Sequence, residues 1–454
     1  MKITKISLIV ILFYCFCATC FAAFSSNRLP NGDMEDKWGS GNVIARRWLR
    51  SSASNTVCAT TSDAYAGNGA LFVKSLNTST TCKWTSQYKV AIESGANYKL
   101  SAMVKYAGNT SGSFFFSIYL YDDSLITPVS ISTVDIKFTG SSNGNWVSIS
   151  TTFAAPANAK TASVVFGTEN ANTESVLIAD NVTLQSTNIT NMLINPSMEK
   201  LDTSYTSAPP YWRRNTSITN AMVTTLDFHT GTQSLWISHD TTRYGYRMFY
   251  NADSTLKGYI PVQSDRQYIY GGWMKWSNIT SYGVVGYGIQ YMNDTEGNLL
   301  DLPATGDLTA PPTTSVYTTG DSAGWVYMCS TTTPPVGARY MRFIIFNGTY
   351  TTANNPTAFY DDVFLQELPI NIIITPGNSS IGINNTVTLN AINGVAPYSW
   401  VCSDTTKGTI DSNGLFLPKG LGAVTITVTD SEGNTGSTSL TVVPTAAPII
   451  REWE

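Results

Sequence analysis

Histidine is the side chain that most often acts as a base in catalysis, and this chain of 454 residues contains only two. His229 lies in a turn between Asp227 and Gly231, and His239 ends a predicted strand. A nucleophilic serine or cysteine needs a histidine within reach and a third group that orients that histidine. Neither histidine has such a motif around it, so we interpret both as polar surface residues.

Acidic residues could support another chemistry, because glycosidases cleave with two positioned carboxylates. Three acids recur at matched positions in two parts of the sequence. They are Glu35, Asp63 and Asp180 in the first part, and Glu199, Asp227 and Asp361 in the second. Catalytic carboxylates could be among the 31 acids of the chain, but the best-placed ones belong to this recurring set.

The composition excludes several classes of protein. Charged residues make up 13% of the chain, against about 25% in an average soluble protein. The formal net charge of −4 lacks the basic footprint of a nucleic-acid-binding protein. Apolar residues make up 43% and aromatic residues 12%, which excludes a disordered chain. The scarcity of Lys, Glu and Arg disfavours long exposed helices.

The N-terminus has the pattern of a secretory signal peptide. Lys2 and Lys5 form a short basic region, residues 6–18 are almost wholly apolar, and Ala22 supplies a small residue for cleavage. We predict a signal peptide over residues 1–22, with a retained membrane anchor as the alternative. No later run is long and apolar enough to span a bilayer, so we expect a secreted or cell-surface protein.

Four cysteines follow the signal segment: Cys58, Cys82, Cys329 and Cys402. None has the CxxC or Cys/His spacing of a zinc site. An exported protein meets an oxidising compartment. Cys58 and Cys82 flank one turn-rich stretch, so we predict a local disulfide between them. The other two are far apart in the sequence, and we interpret them as buried thiols.

The chain contains an internal repeat. The segment at 31–35 returns at 195–199, and the segment at 180–185 returns at 361–366. Six such blocks keep the same order, with small shifts in spacing that loop insertions would cause. We interpret them as two homologous modules, residues 27–186 and 191–367.

The local pattern within the modules is that of β-strands. Leu100, Ala102 and Val104 alternate with polar or longer side chains, and such alternation indicates a strand with one face in the core. Modules of this size with short strands and Gly, Asn, Asp and Pro turns fit a two-sheet sandwich. The predicted fold class is therefore all-β.

A third segment, residues 369–443, has a pattern of strands and turns that differs from that of the two modules. Val424, Ile426 and Val428 alternate, and the turns are rich in Gly, Asn and Asp. About seven short strands in this length suggest a small Ig-like sandwich, with Trp400 as its core tryptophan. Residues 444–454 form a linker-like tail.

The ordered blocks of the two modules resemble the jelly-roll carbohydrate-binding modules found beside cellulase, xylanase and laminarinase domains. The blocks are an opening Asn-Gly-Asp-x-Glu, a Trp, Asp-x-x-x-Gly before a Leu strand, Tyr-x-Leu-Ser, a late Trp and a closing Asp-Asp-Val, each present in full or in part in both modules. The third segment resembles the bacterial Ig-like modules of surface proteins. The resemblance implies tandem β-sandwich jelly rolls followed by an Ig-like β-sandwich.

The resemblance also implies one structural calcium ion in each jelly roll. Its ligands would include Glu35, Asp63 and Asp180 in the first module, and Glu199, Asp227 and Asp361 in the second. Calcium prefers several oxygen ligands, and it would pin the first strand to the last. Asn181 replaces the second Asp of the closing pair in the first module. The alternative is that these acids cap turns at strand ends.

Sugars would be bound through aromatic faces and hydrogen-bonding side chains on a surface away from the core. In module 2, Trp273 and Lys275 alternate with apparent core positions, and we expect Gln290 and Arg342 to share their face. Tyr244 and Tyr246 form either a rim platform or part of the core. Module 1 has Met103 at the position of Trp273. A tryptophan in a sandwich is more often core, and we assign Trp48, Trp146, Trp212 and Trp325 to the framework.

We therefore expect a secreted, non-catalytic protein that binds a polysaccharide or other glycan. Once the three segments are assigned, none is left that is large enough for a catalytic domain. One alternative is a structural or adhesive protein with a cell-surface partner and no sugar ligand. Another is an accessory part of a glycoside hydrolase whose catalytic domain is missing.

Overall fold

The structure is a computed structural model. It describes residues 27–35, 37–38, 44–52, 54, 57–77, 79–87, 89–122, 130–186, 190–199, 212–214, 221–238, 245–251, 260–264, 266–279, 283–292, 314–349, 357–370, 372–394, 396–431 and 433–444. The predicted signal peptide and nearly all of the predicted tail lie outside these residues. No helix of the described chain is long and apolar enough to cross a membrane. The described chain divides after Pro369 into two compact units.

The described part of the first module has thirteen strands. They are β1 Lys37–Trp38, β2 Ile44–Ala45, β3 Trp48–Arg50, β4 Cys58–Thr61, β5 Ala70–Lys74, β6 Cys82–Ser86, β7 Val90–Ala91, β8 Asn97–Ala107, β9 Asn109–Tyr121, β10 Ser130–Gly140, β11 Val147–Ala154, β12 Thr161–Glu169 and β13 Val176–Ser186. One sheet has the order β10-β9-β12-β6-β3, with β7 also paired to β12, and the facing sheet has the order β11-β8-β13-β5-β4. The short strands β1 and β2 pair with each other.

The core of module 1 lies between these two sheets, because each strand sends alternate side chains inward. On β8 the buried side chains include Leu100, Ala102 and Val104, whereas Met103 and Lys105 are only half-buried. Aromatic rings from the other sheet, such as Phe116 and Phe166, fill the same core. The predicted alternation on this strand is confirmed.

The second module repeats this arrangement. Its strands are β14 Trp212–Arg214, β15 Ala221–Thr224, β16 Ser234–Ser238, β17 Gly245–Asn251, β18 Ile260–Pro261, β19 Tyr268–Ser277, β20 Gly283–Met292, β21 Thr314–Thr318, β22 Val326–Thr332, β23 Tyr340–Thr349 and β24 Thr357–Glu367. One sheet has the order β14-β17-β23-β20-β21, with β18 also paired to β23, and the other has the order β15-β16-β24-β19-β22. Both modules are two-sheet jelly-roll sandwiches, and the predicted all-β class is confirmed.

A turn and a bulge recur in both modules and bring distant segments together. Asn181 and Asp362 have positive φ angles of 46° and 45° at the irregular point of the last strand. Gly67 and Gly231 have φ angles of 66° and 68° in the turn opposite that bulge. A side chain at either glycine would collide with the carboxylate of the opening glutamate. Only glycine therefore fits there without displacing its neighbours.

The unit after Pro369 has nine described strands. They are β25 Ile373–Thr375, β26 Ser379–Gly382, β27 Val387–Thr388, β28 Asn390–Ile392, β29 Ser399–Cys402, β30 Gly408–Ile410, β31 Leu415–Pro418, β32 Gly422–Thr429 and β33 Thr435–Val443. They form sheets of order β25-β28, β26-β33-β32-β29 and β27-β31-β30, with β26 and β33 parallel. Leu389, Phe416 and Ile426 are buried in its core, and Trp400 packs against that core while half-buried. The Ig-like assignment stays a prediction.

Candidate functional site

The predicted contact residues Trp273 and Lys275 lie on the outer face of a sheet in module 2. Both are on β19, where Tyr270, Met274 and Trp276 point into the core. Trp273 and Lys275 are half-buried and stand outside that core. The Tyr287 hydroxyl reaches across the sandwich and donates to the Trp273 carbonyl oxygen at 2.8 Å, which fixes the backbone beneath the indole.

Several rings surround Trp273 and form what we call the aromatic surface, defined by His229, Trp273, Trp325, Tyr327 and Phe364. The imidazole of His229 stacks on the indole of Trp273, with 3.9 Å between ring centroids and 13° between planes. Tyr327 lies 5.4 Å from Trp273 and stacks on Phe364 at 5.8 Å. Tyr327 is 37% exposed. The surface thus combines packed rings with at least one accessible ring.

Charged and polar groups line one edge of the aromatic surface. Lys275 Nζ donates to Asp227 Oδ2 at 2.5 Å, and Trp325 Nε1 donates to Asp227 Oδ1 at 3.0 Å. His229 Nδ1 lies 2.8 Å from Asp362 Oδ2. Among the described residues of this edge the lysine is Lys275, and its charge is balanced by Asp227. The edge therefore offers hydrogen-bond acceptors without an excess of positive charge.

Burial changes the acid–base behaviour of two groups at this surface. Burial raises the pKa of Asp361 to about 6, the neighbouring Asp362 adds to that rise, and hydrogen bonds from backbone N–H groups oppose it. Burial together with the adjacent Cys329 raises the pKa of Tyr327 to about 12. Tyr327 is therefore a neutral phenol at physiological pH, suited to hydrogen bonding and stacking.

Gln290 and Arg342 do not share the face of Trp273, and this expectation was wrong. They lie on β20 and β23, in the sheet opposite to that of β19. Gln290 is buried, and its Oε1 accepts a hydrogen bond from Arg342 Nε at 2.5 Å. The chain crosses from one sheet to the other between β19 and β20, so strands that are neighbours in sequence present their outer faces in opposite directions.

Neither of the two predicted tyrosines belongs to the described part of the aromatic surface. Tyr244 lies outside the described residues. The backbone of Tyr246 belongs to β17 and pairs with Gly348 of β23, again in the sheet opposite to that of Trp273.

The recurring acids meet one turn in each module. Glu35 accepts a hydrogen bond from the Asn68 N–H, and Asp180 accepts bonds from the N–H groups of Tyr65 and Ala66. In module 2, Glu199 accepts from the N–H groups of Thr232 and Gln233, and Asp361 from those of His229 and Thr230. These acids therefore tie the first and last segments of each module to the same turn.

The third acid of each set has a different partner. Asp63 pairs with Lys105 at 2.5 Å, and Asp227 pairs with Lys275. Among the described residues, no group of three or more His, Cys, Asp or Glu side chains is arranged to hold a metal ion. The donor set thus fits calcium only through the remaining two acids of each module, and backbone carbonyls would have to supply further oxygens.

The predicted disulfide between Cys58 and Cys82 is absent, and both residues are buried free thiols. Cys58 lies on β4 and Cys82 on β6, which belong to different sheets of module 1. The turn-rich stretch between them therefore crosses from one sheet to the other, and the two thiols lie in the same core without being joined. Cys329 and Cys402, expected to be buried, are half-buried.

Module 1 has the same framework as the aromatic surface but fewer rings. Met103, Ser148 and Thr183 take the places of Trp273, Tyr327 and Phe364, as the pairing of the equivalent strands shows. The contribution of Tyr327 and Phe364 was missed at the sequence level. A signal was available, because the repeated blocks align both rings with hydroxyl residues.

Two of the framework tryptophans are buried as expected, and two are not. Trp48 and Trp212 are buried, and each donates its indole N–H to the carbonyl of the opening asparagine. Trp146 and Trp325 are half-buried at the recurring turn. Trp325 thereby joins the aromatic surface.

No protein-family model matches the chain, and no curated protein matches it significantly. Solved structures do show similarity. The N-terminal CBM22-1-CBM22-2 tandem domain from Paenibacillus barcinonensis Xyn10C is 12% identical, with a TM-score of 0.26 over 77% of this chain and 99% of that chain. TmCBM61 in complex with beta-1,4-galactotriose is 11% identical, with a TM-score of 0.26 over 35% of this chain and 98% of that chain. The enzymatically active domain of bacteriophage CBA120 tailspike protein 4 is 14% identical, with a TM-score of 0.28 over 35% of this chain and 21% of that chain. These TM-scores are low, and the fold assignment made above comes from the strand order of this chain itself.

Proposed function

We propose that this chain is a secreted, non-catalytic carbohydrate-binding protein that holds a poly- or oligosaccharide on the aromatic surface of module 2. The observation that carries the proposal is the grouping of Trp273, Tyr327 and Phe364 on one outer sheet face. Sugar rings present C–H groups on their faces and hydroxyl groups at their edges. Flat aromatic rings cover the former, and side-chain acceptors bond the latter.

The exposed loop beside the surface supports the same proposal. Phe228 is 40% exposed and lies next to His229 in the turn. Phe228 adds exposed apolar area to the turn that carries His229, and exposed apolar area rimmed by polar groups marks interaction sites. Asp227 and Asp362 supply the polar rim. Both carboxylates already accept hydrogen bonds from neighbouring side chains, and their remaining lone pairs would accept hydrogen bonds from sugar hydroxyls.

The difference between the two modules supports the proposal that the main site is in module 2. Both modules keep the Asp–Lys–Trp group at the turn, namely Asp63, Lys105 and Trp146 or Asp227, Lys275 and Trp325. Only module 2 adds rings on the neighbouring strands. Rings added to the outer face of a framework that both modules share would provide additional contacts to a ligand.

We also propose one structural calcium ion per module, at Glu35 and Asp180 and at Glu199 and Asp361. Each pair joins the opening segment to the last strand, and both acids would supply carboxylate oxygens. When bound, the ion would add a link between these two segments. Asp63 and Asp227 are not included, because each carboxylate is already paired with a lysine.

The proposal is tested by screening the secreted protein on a glycan array beside the variants Trp273→Ala and Tyr327→Ala. We expect binding to a glycan by the native protein and a loss of at least about fivefold in affinity in each variant, since a well-placed aromatic contact is worth about 1 kcal/mol or more. Val336→Ala is the matched control, because Val336 is a 94% exposed apolar residue in a turn of module 2 outside the aromatic surface.

The structural or adhesive alternative predicts a different result from the same screen. In that case no glycan would bind, and the protein would assemble with itself or attach to cells whether or not Trp273 and Tyr327 were present. Glycan binding that both variants retain in full would also refute the assignment to this surface.

A further inference from the structure

We infer that module 1 carries a second, smaller carbohydrate-contact site, formed by Tyr65 and Trp146 at its recurring turn. We call these two residues the module 1 corner. The inference rests on the proposed function, because it assigns the same class of ligand, an uncharged sugar unit, to a second place in the chain.

The module 1 corner presents an aromatic pair to solvent. Tyr65 is 50% exposed. Its ring lies 6.0 Å from that of Trp146 at an interplanar angle of 66°. The ammonium of Lys105 lies 5.1 Å from the centroid of the Trp146 ring, so the tryptophan is already engaged by a cation. The accessible stacking surface of the corner is therefore mainly that of Tyr65.

The backbone that carries Tyr65 is held in place. The N–H groups of Tyr65 and Ala66 donate to Asp180 Oδ2 at 2.9 and 3.0 Å. His229 and Thr230 make the same two bonds to Asp361 in module 2. A solitary exposed tyrosine needs no explanation, but this one sits on a fixed turn at the position equivalent to His229 of the aromatic surface. A preorganised ring binds with a smaller loss of conformational entropy.

The charges at the corner indicate the class of ligand. Within the part of the chain that the structure describes, the cation beside the Trp146 ring is Lys105, and its Nζ pairs with Asp63 Oδ1 at 2.5 Å. This ion pair balances the charge of Lys105, so that lysine offers no excess charge to a sugar acid. An uncharged pyranose unit, stacked on Tyr65 and bonded at its edge by Asp63, fits these groups.

The corner should bind more weakly than the aromatic surface. Met103, Ser148 and Thr183 stand where module 2 has three additional rings. Each lost ring removes stacking contact, so we expect an affinity at least about tenfold lower than that of module 2.

The experiment follows the indole N–H signals of the full chain by 1H–15N NMR during titration with cellohexaose, xylohexaose and mannohexaose. Trp146→Phe and Trp325→Phe variants assign the two signals. We expect the Trp325 signal to shift at low oligosaccharide concentration and the Trp146 signal at a concentration at least about tenfold higher. In Tyr65→Ala, the Trp146 signal should stop responding while the Trp325 signal still shifts.

Leu76→Ala is the matched control, because Leu76 is 49% exposed and lies after the C-terminal end of β5, whereas the turn lies before the N-terminal end of that strand. It should leave both responses unchanged. A Trp325 response with a silent Trp146 signal overturns this inference and leaves the proposed function standing. A Trp146 response that persists in Tyr65→Ala also overturns it. Silence of both signals with all three hexasaccharides counts against the two-site inference and against the proposed function together.

Discussion

At the scale of single residues, chemistry depends on what each side chain faces. Asp227 and Asp361 recur in the sequence as members of one set, yet one is paired with a lysine and the other is buried against backbone N–H groups. Cys58 and Tyr287 do not stand out in the sequence either, but burial raises the pKa of both side chains. Two predictions belong to this scale.

The first concerns the thiols of module 1. Burial raises the pKa of the Cys58 thiol, so we expect Cys58 to be unreactive towards Ellman's reagent in the native protein near pH 8. After unfolding without a reductant, Cys58 and Cys82 should both react, and Cys82→Ala should lower the number of reactive thiols by one. If the two cysteines formed a disulfide, the same variant would instead raise that number by one, because Cys58 would lose its partner.

The second concerns alkaline pH. Tyr287 is fully buried, and burial raises the pKa of its phenol well above the ordinary value of 10. The unfolded chain ionises near pH 10, whereas the native protein does not. The stability that this difference provides is therefore complete below pH 10 and is lost as the pH rises towards the native pKa.

Tyr287→Phe separates this effect from the hydrogen bond to Trp273. At pH 8 the variant should lose about 1 kcal/mol of unfolding free energy, the usual contribution of such a bond. At pH 11, ionisation of Tyr287 in the unfolded state should lower the unfolding free energy of the wild-type protein by more than the hydrogen bond contributes, whereas the variant has no phenol at this position. The difference in unfolding free energy between the two proteins should therefore shrink or change sign. Urea denaturation at both pH values measures this, and a constant difference would contradict the ionisation argument.

At the scale of elements, the important feature is the crossover between sheets. Strands β19 and β20 follow each other in the chain but lie in opposite sheets, and this separates Gln290 from Trp273. The bulge at Asp180 or Asp361 and the turn at Gly67 or Gly231 are the elements that recur most closely. They bring the opening glutamate and the closing aspartate of each module to one place.

Calcium would act on these elements. If it binds as proposed, EDTA should lower the melting temperature of the full chain, and added calcium should restore it. Glu199→Gln should weaken that response by removing the site of module 2. Glu174→Gln is the control, because Glu174 is an exposed acid that pairs with Lys74. A melting curve that is the same in EDTA and in calcium would refute the calcium proposal. The opening segment and the last strand of each module would then be connected by the hydrogen bonds of the turns alone.

At the scale of the whole molecule, the two modules meet through charged and polar contacts. Arg28 of module 1 is buried, its guanidinium donates to Thr190 Oγ1, and it lies near Glu93 and Glu367. Arg339 of module 2 donates to both carboxylate oxygens of Asp33, at 2.6 and 2.7 Å. These contacts link the opening segment of module 1 to module 2.

Arg28→Met tests this junction. The variant removes the buried guanidinium and its hydrogen bonds to Thr190, so we expect the free energy of unfolding to fall by about 2 kcal/mol, the usual contribution of hydrogen bonds from a charged group. Calorimetry should then resolve separate transitions for the two modules. Lys137→Met is the control, since it removes one positive charge from an exposed position on β10 of module 1 and should change the melting curve little. An unaltered curve in Arg28→Met would show that the junction does not couple the modules.

The fold could be predicted from the sequence because the residue patterns that indicate strands are local. Alternation on β8 and β19 assigns inner and outer faces with a period of two, and this holds whichever strands become neighbours. The repeat needed only an ordered match of blocks, and both modules do share one strand order. The outward direction of Trp273 and Lys275 follows from the same local rule.

The composition of the candidate site was decided only by the tertiary structure. The neighbours of Trp273 come from the turn at His229 and from two other strands, and no local pattern specifies that these segments meet. The sheet that receives Gln290, the lysine that neutralises Asp227 and the placement of Cys58 and Cys82 in different sheets depend in the same way on the crossovers. Side-chain direction along a strand is set by neighbouring residues, whereas the contacts across a sandwich are set by the order of all its strands.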